Sequence, residues 1–185
     1  MTSSVRYSKV AIGLHWLIAL MIIGLIIFGK LMTNPETPNR FVLYQLHKSF
    51  GILVLLFSVL RLGWRLTHKP PPLPDGMTSW ERAAAKFTHI AFYVIMIGMP
   101  LLGWAMVSAS PIPIPTRIFD TVPWPNIPGI VRDEALADIF KMLHHNIAHF
   151  TMALIALHIV AALKHQFLNK DGLLSRMFPG RKTNT

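Results

Sequence analysis

The chain has no cysteine and few charged residues. The absence of cysteine from all 185 residues excludes disulfide bonds, thiolate-bound metals, iron–sulfur clusters and covalent c-type haem attachment. Charged residues make up only 14% of the sequence, against about 25% in a typical soluble domain. Hydrophobic residues make up 52%, and the mean hydropathy is +0.46. The composition therefore predicts one integral membrane domain, in which any bound metal must have nitrogen or oxygen ligands.

Acidic side chains are especially scarce. The chain has 8 Asp and Glu residues against 18 Lys and Arg residues, for a net charge of +10. Such an excess is typical of nucleic-acid-binding proteins. Here, however, the basic residues flank apolar segments, and they do not lie on a polar helix or between exposed aromatic side chains. The charge therefore predicts no nucleic-acid partner and indicates a lipid bilayer.

Four apolar runs are long enough to cross a bilayer, which takes about 20 residues of helix. They cover residues 10–32, 41–66, 87–107 and 139–167. We expect them to form a four-helix membrane bundle within a single domain, 1–185. Lys and Arg number 12 in the N-terminus, the loop between the second and third runs and the C-terminal tail, against six on the other side. The positive-inside rule therefore predicts that both termini are cytoplasmic.

The longest polar interval, 108–138, lies between the third and fourth runs. It contains six prolines, at positions 111, 113, 115, 123, 125 and 128. Proline cannot continue a helix, so this interval should be a loop. A loop of this length in so small a protein is expected to cover a site instead of hanging free.

The fourth run carries five of the nine histidines. Residues seven apart drift only about 20° around a helix, so four side chains should share one face. They are His144, Thr151, His158 and His165. A rise of roughly 21 Å separates His144 from His158, which would place one histidine near each side of a bilayer.

Three other histidines should lie away from this face. His145 is about 140° around the helix from His158, and His149 is about 180° around it. We expect an interfacial position for His145 and a structural hydrogen bond or headgroup contact for His149. His68 precedes a proline-rich segment and should be an exposed loop residue.

The expected depths in the bilayer pair His144 and His158 with one further histidine each. His15 begins the first run and His158 lies late in the fourth, so both should be near the cytoplasmic side. His47 begins the second run and His144 begins the fourth, so both should be near the outer side. Two histidine pairs, one above the other, are the arrangement expected of two bis-histidine b-type haems stacked across the membrane.

Small and basic residues occur where such haems would pass. Gly29 follows His15 by 14 residues, which places it at the depth of the outer haem, and Gly51 lies one turn from His47. Arg61 follows His47 by 14 residues, at the depth of the inner haem. It suits a haem propionate, although interfacial snorkelling together with Arg65 is the competing interpretation.

Four stretches carry a resemblance to a known family. They read RYSKVAIGLHWL, LHKSFGILVLLFSVLRLGWR, HIAFYVIMIGMPLLGW and LHIVAALKHQFLNKDGLLSRM. They resemble the four-span bacterial cytochrome b561 family, which includes superoxide oxidase, and only the loop 108–138 departs clearly from it. The most specific parts are the HW pair, LHKSFGI and the H-x13-H-x6-H spacing. The resemblance implies a multi-pass protein of the bacterial inner membrane, with haem iron bound by His15, His47, His144 and His158.

The same resemblance implies two haem b cofactors and a quinone substrate. Bis-histidine ligation fills both axial positions, so the iron should pass electrons without binding oxygen. We therefore expect an oxidoreductase that oxidises superoxide outside and reduces ubiquinone or a similar quinone inside. The alternative is an electron-transfer cytochrome that exchanges electrons between quinone or quinol and a periplasmic redox protein. A third possibility is a haem-binding subunit of a larger dehydrogenase or hydrogenase.

Two further histidines are candidates for the quinone chemistry. Family members often have histidines that match His89 and His165, near the cytoplasmic haem and in the region proposed for quinone. His165 lies roughly 10 Å beyond His158, which suits a proton donor to quinone or a contact with lipid headgroups. For His89 the competing role is contact with a haem propionate.

The charged residues near the outer side do not all favour binding of an anionic substrate. An anionic substrate is attracted by positive potential, but the long loop carries both acidic and basic residues. Lys30, Arg40 and Lys48 could form a local basic entrance beside the outer pair.

Overall fold

The structure is a computed structural model, which describes residues 6–112 and 114–178. Pro113 of the long loop, and Arg181 and Lys182 of the basic tail, lie outside the described residues. Four long helices account for most of the chain: α1 (Lys9–Thr33), α2 (Arg40–Thr67), α3 (Ser79–Ala109) and α4 (Glu134–Lys164).

Short elements complete the connections. A two-stranded antiparallel hairpin lies between α3 and α4, and α4 continues into a π-helical turn that is followed by a 3₁₀ turn. The hairpin strands are β1 (Thr116–Ile118) and β2 (Val122–Trp124), and the two turns are His165–Asn169 and Leu174–Met177. We call the end at which α1 begins and α4 finishes the terminal end, and the opposite end the hairpin end.

All four helices are long and apolar enough to cross a membrane. Large apolar side chains cover their outer surface, where Leu66 is 79% exposed and Leu157 is 67% exposed. Exposing this surface to water would cost free energy, whereas lipid tails are as apolar as these side chains. The structure therefore confirms the predicted all-α membrane bundle.

Two helices begin earlier than their apolar runs. Thr78 and Glu81 form a capping box at the start of α3, which satisfies backbone N–H groups before the apolar run 87–107 begins. The side chain of Asp133 accepts the backbone N–H of Leu136 at 2.7 Å and begins α4 in the same way. Polar caps, not hydrophobicity, set these two boundaries.

The helices do not pack evenly around the bundle. Within the described residues, close backbone packing joins α1 to α2, α2 to α3 and α3 to α4, whereas α4 has little close contact with α1 or α2. Small polar side chains such as Ser49, Ser58 and Thr151 are buried inside. The arrangement leaves space between α4 and the first two helices.

The long loop is folded against the hairpin end. The hydroxyl of Ser49 accepts the backbone N–H of Phe119 at 2.9 Å, which fastens the hairpin to α2. Trp104 donates its indole N–H to the carbonyl of Pro125 at 2.8 Å, which fastens the following segment to α3. Ser49 is two residues from His47, and Trp104 directly follows Gly103, so these anchors hold the loop at the same end of the bundle as the second histidine pair described below.

Candidate functional site

At the terminal end, the structure brings His15 of α1 next to His158 of α4. Their ring centres are 6.4 Å apart, with an angle of 68° between the ring planes. Two imidazoles that bind one metal ion from opposite sides, through bonds of about 2 Å, have ring centres roughly 6 Å apart. The separation therefore suits a metal ion held between the two rings. We call these residues the terminal pair.

At the hairpin end, His47 of α2 faces His144 of α4. Their ring centres are 6.2 Å apart, with an angle of 63° between the planes. Nδ1 of each ring is buried and has no hydrogen-bond partner among the described residues. Burial of an unpartnered polar atom costs free energy and needs an explanation. We call these residues the hairpin pair.

Two glycines contact the rings of the hairpin pair. A Cβ at Gly29 would lie 3.6 Å from Cε1 of His47, and a Cβ at Gly103 would lie 3.3 Å from Cε1 of His144. In both cases Nδ1 is the next nearest ring atom. The Nδ1 side of each imidazole therefore packs against a glycine, which leaves Nε2 as the nitrogen available to a metal.

The space between the helices suits a large flat group. Both histidine pairs bridge α4 to α1 or α2, across the two gaps where the described backbones are not closely packed. A Cβ at Gly51 would meet no atom within 4 Å. At the hairpin pair, the facing imidazoles, the buried ring nitrogens and the open space at Gly51 fit a haem, and at the terminal pair the facing imidazoles have the spacing of two ligands of one metal ion.

His89 is a third ring near the terminal pair. Its centre lies 6.2 Å from that of His158, as close as His15, so distance alone does not decide which ring shares a metal with His158. Packing does distinguish them. His89 belongs to α3, which is packed closely on α4, whereas His15 belongs to α1, whose described backbone is not closely packed on α4. Phe92 also contacts His158, with ring centres 5.3 Å apart.

Arg61 points into the bundle at the same end. Its Nη1 donates to the backbone carbonyl of Ala11 at 3.2 Å. Its guanidinium group therefore lies at the same end of the bundle as His15 and His158. Arg65, one turn later, lies over the ring of Tyr93 at 5.8 Å. Arg61 thus reaches toward α1, where a carboxylate such as a haem propionate would suit it.

His165 is buried beyond the terminal pair, with 6% of its surface exposed. Its Nδ1 lies 2.5 Å from Oδ2 of Asp171. The preceding residue, Lys164, makes a separate ion pair with Glu81 of α3 at 2.5 Å. His165 is therefore directed to a carboxylate of its own chain and not to the headgroup region.

The remaining histidines lie on the surface. His145 and His149 are both exposed, as their angular positions on α4 predict. Nδ1 of His149 lies 2.8 Å from the carbonyl of His145, a local contact within the helix. His68 is exposed as expected and stacks on Trp64, with ring centres 3.7 Å apart.

Sequence reasoning missed two residues of these sites, Gly103 and Asp171. Gly103 lies in LLGW near the end of an apolar run, where a glycine costs helix stability and so signals a close approach. Asp171 follows His165 by six residues, a spacing that places no two side chains together on a helix. The only signal for Asp171 was the turn-forming sequence NKDG.

Four membrane-crossing helices with a pair of facing histidines at each end define a class, the membrane-bound b-type cytochromes. The model of the family described as prokaryotic cytochrome b561 matches residues 6–180. The chain therefore belongs to the prokaryotic cytochrome b561 family. Members of this family bind haem b and transfer electrons, and the chain is a multi-pass protein of the bacterial inner membrane.

Individual relatives agree with this assignment. "Cytochrome b561 homolog 2" of Escherichia coli (strain K12) is 32% identical over 176 residues, which covers 93% of this chain and 90% of the relative. "Cytochrome b561 homolog 1" of the same strain is 29% identical over 180 residues, or 96% of this chain and 99% of the relative. "Probable superoxide oxidase CybB" of Yersinia pestis is 27% identical over 185 residues, or 96% and 98%.

Proposed function

We propose that the chain is a di-haem cytochrome that oxidises superoxide at the hairpin end and reduces ubiquinone or a similar quinone at the terminal end. The observation that carries this proposal is the two facing histidine pairs, with ring centres 6.4 Å and 6.2 Å apart. Their α4 members, His158 and His144, are separated by a rise of roughly 21 Å along one helix. This spacing suits electron transfer across most of a bilayer.

In this proposal each pair holds one haem b. His15 and His158 would hold the haem at the terminal end, and His47 and His144 would hold the haem at the hairpin end. When bound, haem b would supply reversible one-electron transfer. Gly29 and Gly103 let the hairpin pair approach the helix backbones, Gly51 leaves room for the macrocycle, and Arg61 binds a propionate.

Two haems could hold the two electrons that one quinone molecule takes up. Superoxide gives up one electron and becomes oxygen, whereas a quinone takes up two electrons and two protons and becomes a quinol. Two superoxide anions are therefore consumed for each quinone reduced. His165 and His89 are the residues proposed for the quinone side, with His165 as the proton donor.

The distribution of charge supports the orientation. Under the positive-inside rule the terminal end is cytoplasmic, where quinone reduction can draw protons from the cytoplasm. At the hairpin end, Lys48 follows His47 directly and donates to the carbonyl of Pro115 at 3.0 Å. Among the described residues no carboxylate pairs with Lys48. A half-buried positive charge beside His47 favours a small anion there.

The second candidate is an electron-transfer cytochrome that docks a periplasmic redox protein. The observation that favours it is the apolar outer surface of the folded loop, where Phe119 is 42% exposed, Val122 is 55% exposed and Val131 is 74% exposed. Exposed apolar patches of this kind often mark protein contacts.

Stopped-flow mixing of the purified, oxidised protein with superoxide separates the two candidates. The proposed oxidase should show haem reduction at a rate approaching the diffusion limit, about 10⁹ M⁻¹s⁻¹. Lys48→Gln should slow this reduction, and the slowing should disappear at high salt, where screening removes the attraction. No haem reduction by superoxide would reject the oxidase and leave the protein-docking cytochrome.

A further inference from the structure

A histidine and a carboxylate meet just beyond the end of α4. Nδ1 of His165 lies 2.5 Å from Oδ2 of Asp171, and the two side chains are 7% and 17% exposed. A ring N–H and a carboxylate oxygen this close form a charge-assisted hydrogen bond, which is stronger than one between neutral groups. Because both groups are shielded from water, the contact is screened much less than a surface ion pair.

The backbone takes an unusual course to make this contact. The π-helical turn begins at His165, and Lys170 and Gly172 then adopt positive φ angles of 52° and 71°. Lysine rarely adopts such a conformation. π-helical turns and strained residues of this kind are concentrated at functional sites. The backbone is therefore locally strained at the turn that brings Asp171 into contact with His165.

Among the described residues, the ion pair of Asp171 is with His165. Two cations of this region have other partners, because Lys164 pairs with Glu81 and Arg176 donates to the carbonyl of Pro72 at 2.6 Å. The second oxygen of Asp171, Oδ1, accepts the backbone N–H of Leu173 at 3.0 Å. This contact holds the carboxylate in place and leaves Oδ2 for the imidazole.

The carboxylate determines which ring nitrogen carries a hydrogen. An ionised carboxylate only accepts hydrogen bonds, so Nδ1 of His165 must donate to it. Nδ2 of Asn169 lies 3.2 Å from the same Nδ1. Because Nδ1 donates to the carboxylate, this amide nitrogen is not its hydrogen-bond partner, and the opposite amide orientation would place Oδ1 there as a second acceptor. No described residue forms a hydrogen bond with Nε2. Nε2 is therefore the nitrogen able to exchange a proton with a ligand.

We propose that Asp171 is a positioning residue that holds His165 as the proton donor to the quinone, an inference that rests on the proposed quinone reduction. Of the two protons that each quinone takes up with its two electrons, Nε2 delivers one to a quinone oxygen. The carboxylate stabilises the ring while both nitrogens carry hydrogen. The ring then regains its proton from the cytoplasmic side, and the second proton of the quinol follows by the same route.

Asp171→Asn tests the proposal because it keeps the size of the side chain and removes its charge. In the haem-loaded protein, reduction of a soluble quinone analogue should slow at least about tenfold in kcat, with KM and the haem spectrum unchanged. The ¹⁵N signals of His165, assigned by comparison with His165→Ala in histidine-labelled protein, should shift toward the other tautomer. Asp171→Glu should restore part of kcat.

Ser175→Ala is the matched control. Ser175 donates to the carbonyl of Gly172 at 2.6 Å in the same turn and does not contact the imidazole. This variant should keep the kcat and the ¹⁵N signals of the unmodified protein, which shows that disturbing the turn is not enough.

Two results would overturn the inference. One is an Asp171→Asn variant with unchanged kcat or unchanged ¹⁵N signals of His165. The other is a variant that loses haem in proportion to its activity, since Asp171 would then support the fold only. Failure of the proposed function looks different. Unchanged quinone kinetics in His165→Ala would remove the quinone role of this region itself.

Discussion

The terminal pair and the hairpin pair have the same chemistry in different surroundings. At the hairpin end, the imidazoles of His47 and His144 pack against glycines, and their Nδ1 atoms are buried without partners among the described residues. At the terminal end, the pair lies beside an arginine and a third histidine, and a histidine–aspartate contact follows toward the end of the chain. These residues are Arg61, His89, His165 and Asp171.

The difference suggests that the two ends carry out different parts of the reaction. The imidazoles of the hairpin pair pack against glycines, and the neighbouring Lys48 can attract an anion, but oxidation of superoxide releases an electron and takes up no proton. A site with titratable and basic residues can couple electron transfer to proton uptake. We therefore expect the hairpin end to exchange electrons only, and the terminal end to handle the proton-dependent half of the reaction.

The largest expected effect tests whether the hairpin pair is a haem site. Changing His144 to Ala removes an axial ligand, so the haem-to-protein ratio should fall from about two to about one. The control is His145→Ala, since His145 is adjacent but exposed. Pyridine haemochrome analysis and the reduced-minus-oxidised spectrum measure the outcome. Loss of haem from His145→Ala, with both haems kept in His144→Ala, would show that the ligand on α4 has been misassigned.

The second test concerns the terminal pair, where His15 and His89 are equally near His158. We expect His15→Ala to lose the haem at this end, because His15 lies across the gap between α1 and α4. His89→Ala should keep that haem and its low-spin spectrum. The reverse pattern would transfer the ligand role to His89 and place the haem between α3 and α4.

The sequence alone predicted the membrane bundle and the meeting of the histidines. A bilayer restricts how long a span can be and which way it runs, so the depth of each histidine followed from its place in the run. The intervals of seven on α4 then selected His144 and His158 over His145. The rings of both predicted pairs do meet in the structure.

Other features depend on contacts that no local pattern encodes. The start of α3 depends on the capping box of Thr78 and Glu81, outside the apolar run. The contact of Gly103 with His144 joins two helices, so it required their packing. The return of Asp171 to His165 depends on two positive φ angles. Hydrophobic periodicity carries no information about any of these three.

A smaller effect is expected from filling the space beside the hairpin pair. In Gly103→Ala the new methyl group would lie 3.3 Å from Cε1 of His144, tighter than an ordinary contact. Displacing a ligand that needs fixed geometry should weaken haem binding at this end by about 10- to 100-fold. Haem titration of the apoprotein measures it. Gly98→Ala is the control, because a Cβ there meets nothing within 4 Å. Equal affinities in the two variants would contradict the contact.

The smallest effect distinguishes the two ends electrostatically. Arg61→Gln removes a positive charge that lies near His15 and His158, so the reduced haem at the terminal end loses stabilisation. Its midpoint potential should become more negative by on the order of 50 mV, or about tenfold in the one-electron equilibrium. Arg117→Gln is the control, since Arg117 pairs with Asp120 on the exposed hairpin at 3.5 Å.

Potentiometric titration of both variants resolves the outcome. The terminal haem should respond most to Arg61→Gln, because the hairpin pair is roughly 21 Å away along α4 and a Coulomb interaction weakens with distance. A shift of both potentials by the same amount would mean that the charge is felt across the bundle. The two ends would then not be electrostatically independent, and differences in their potentials would have to come from packing and burial around the rings.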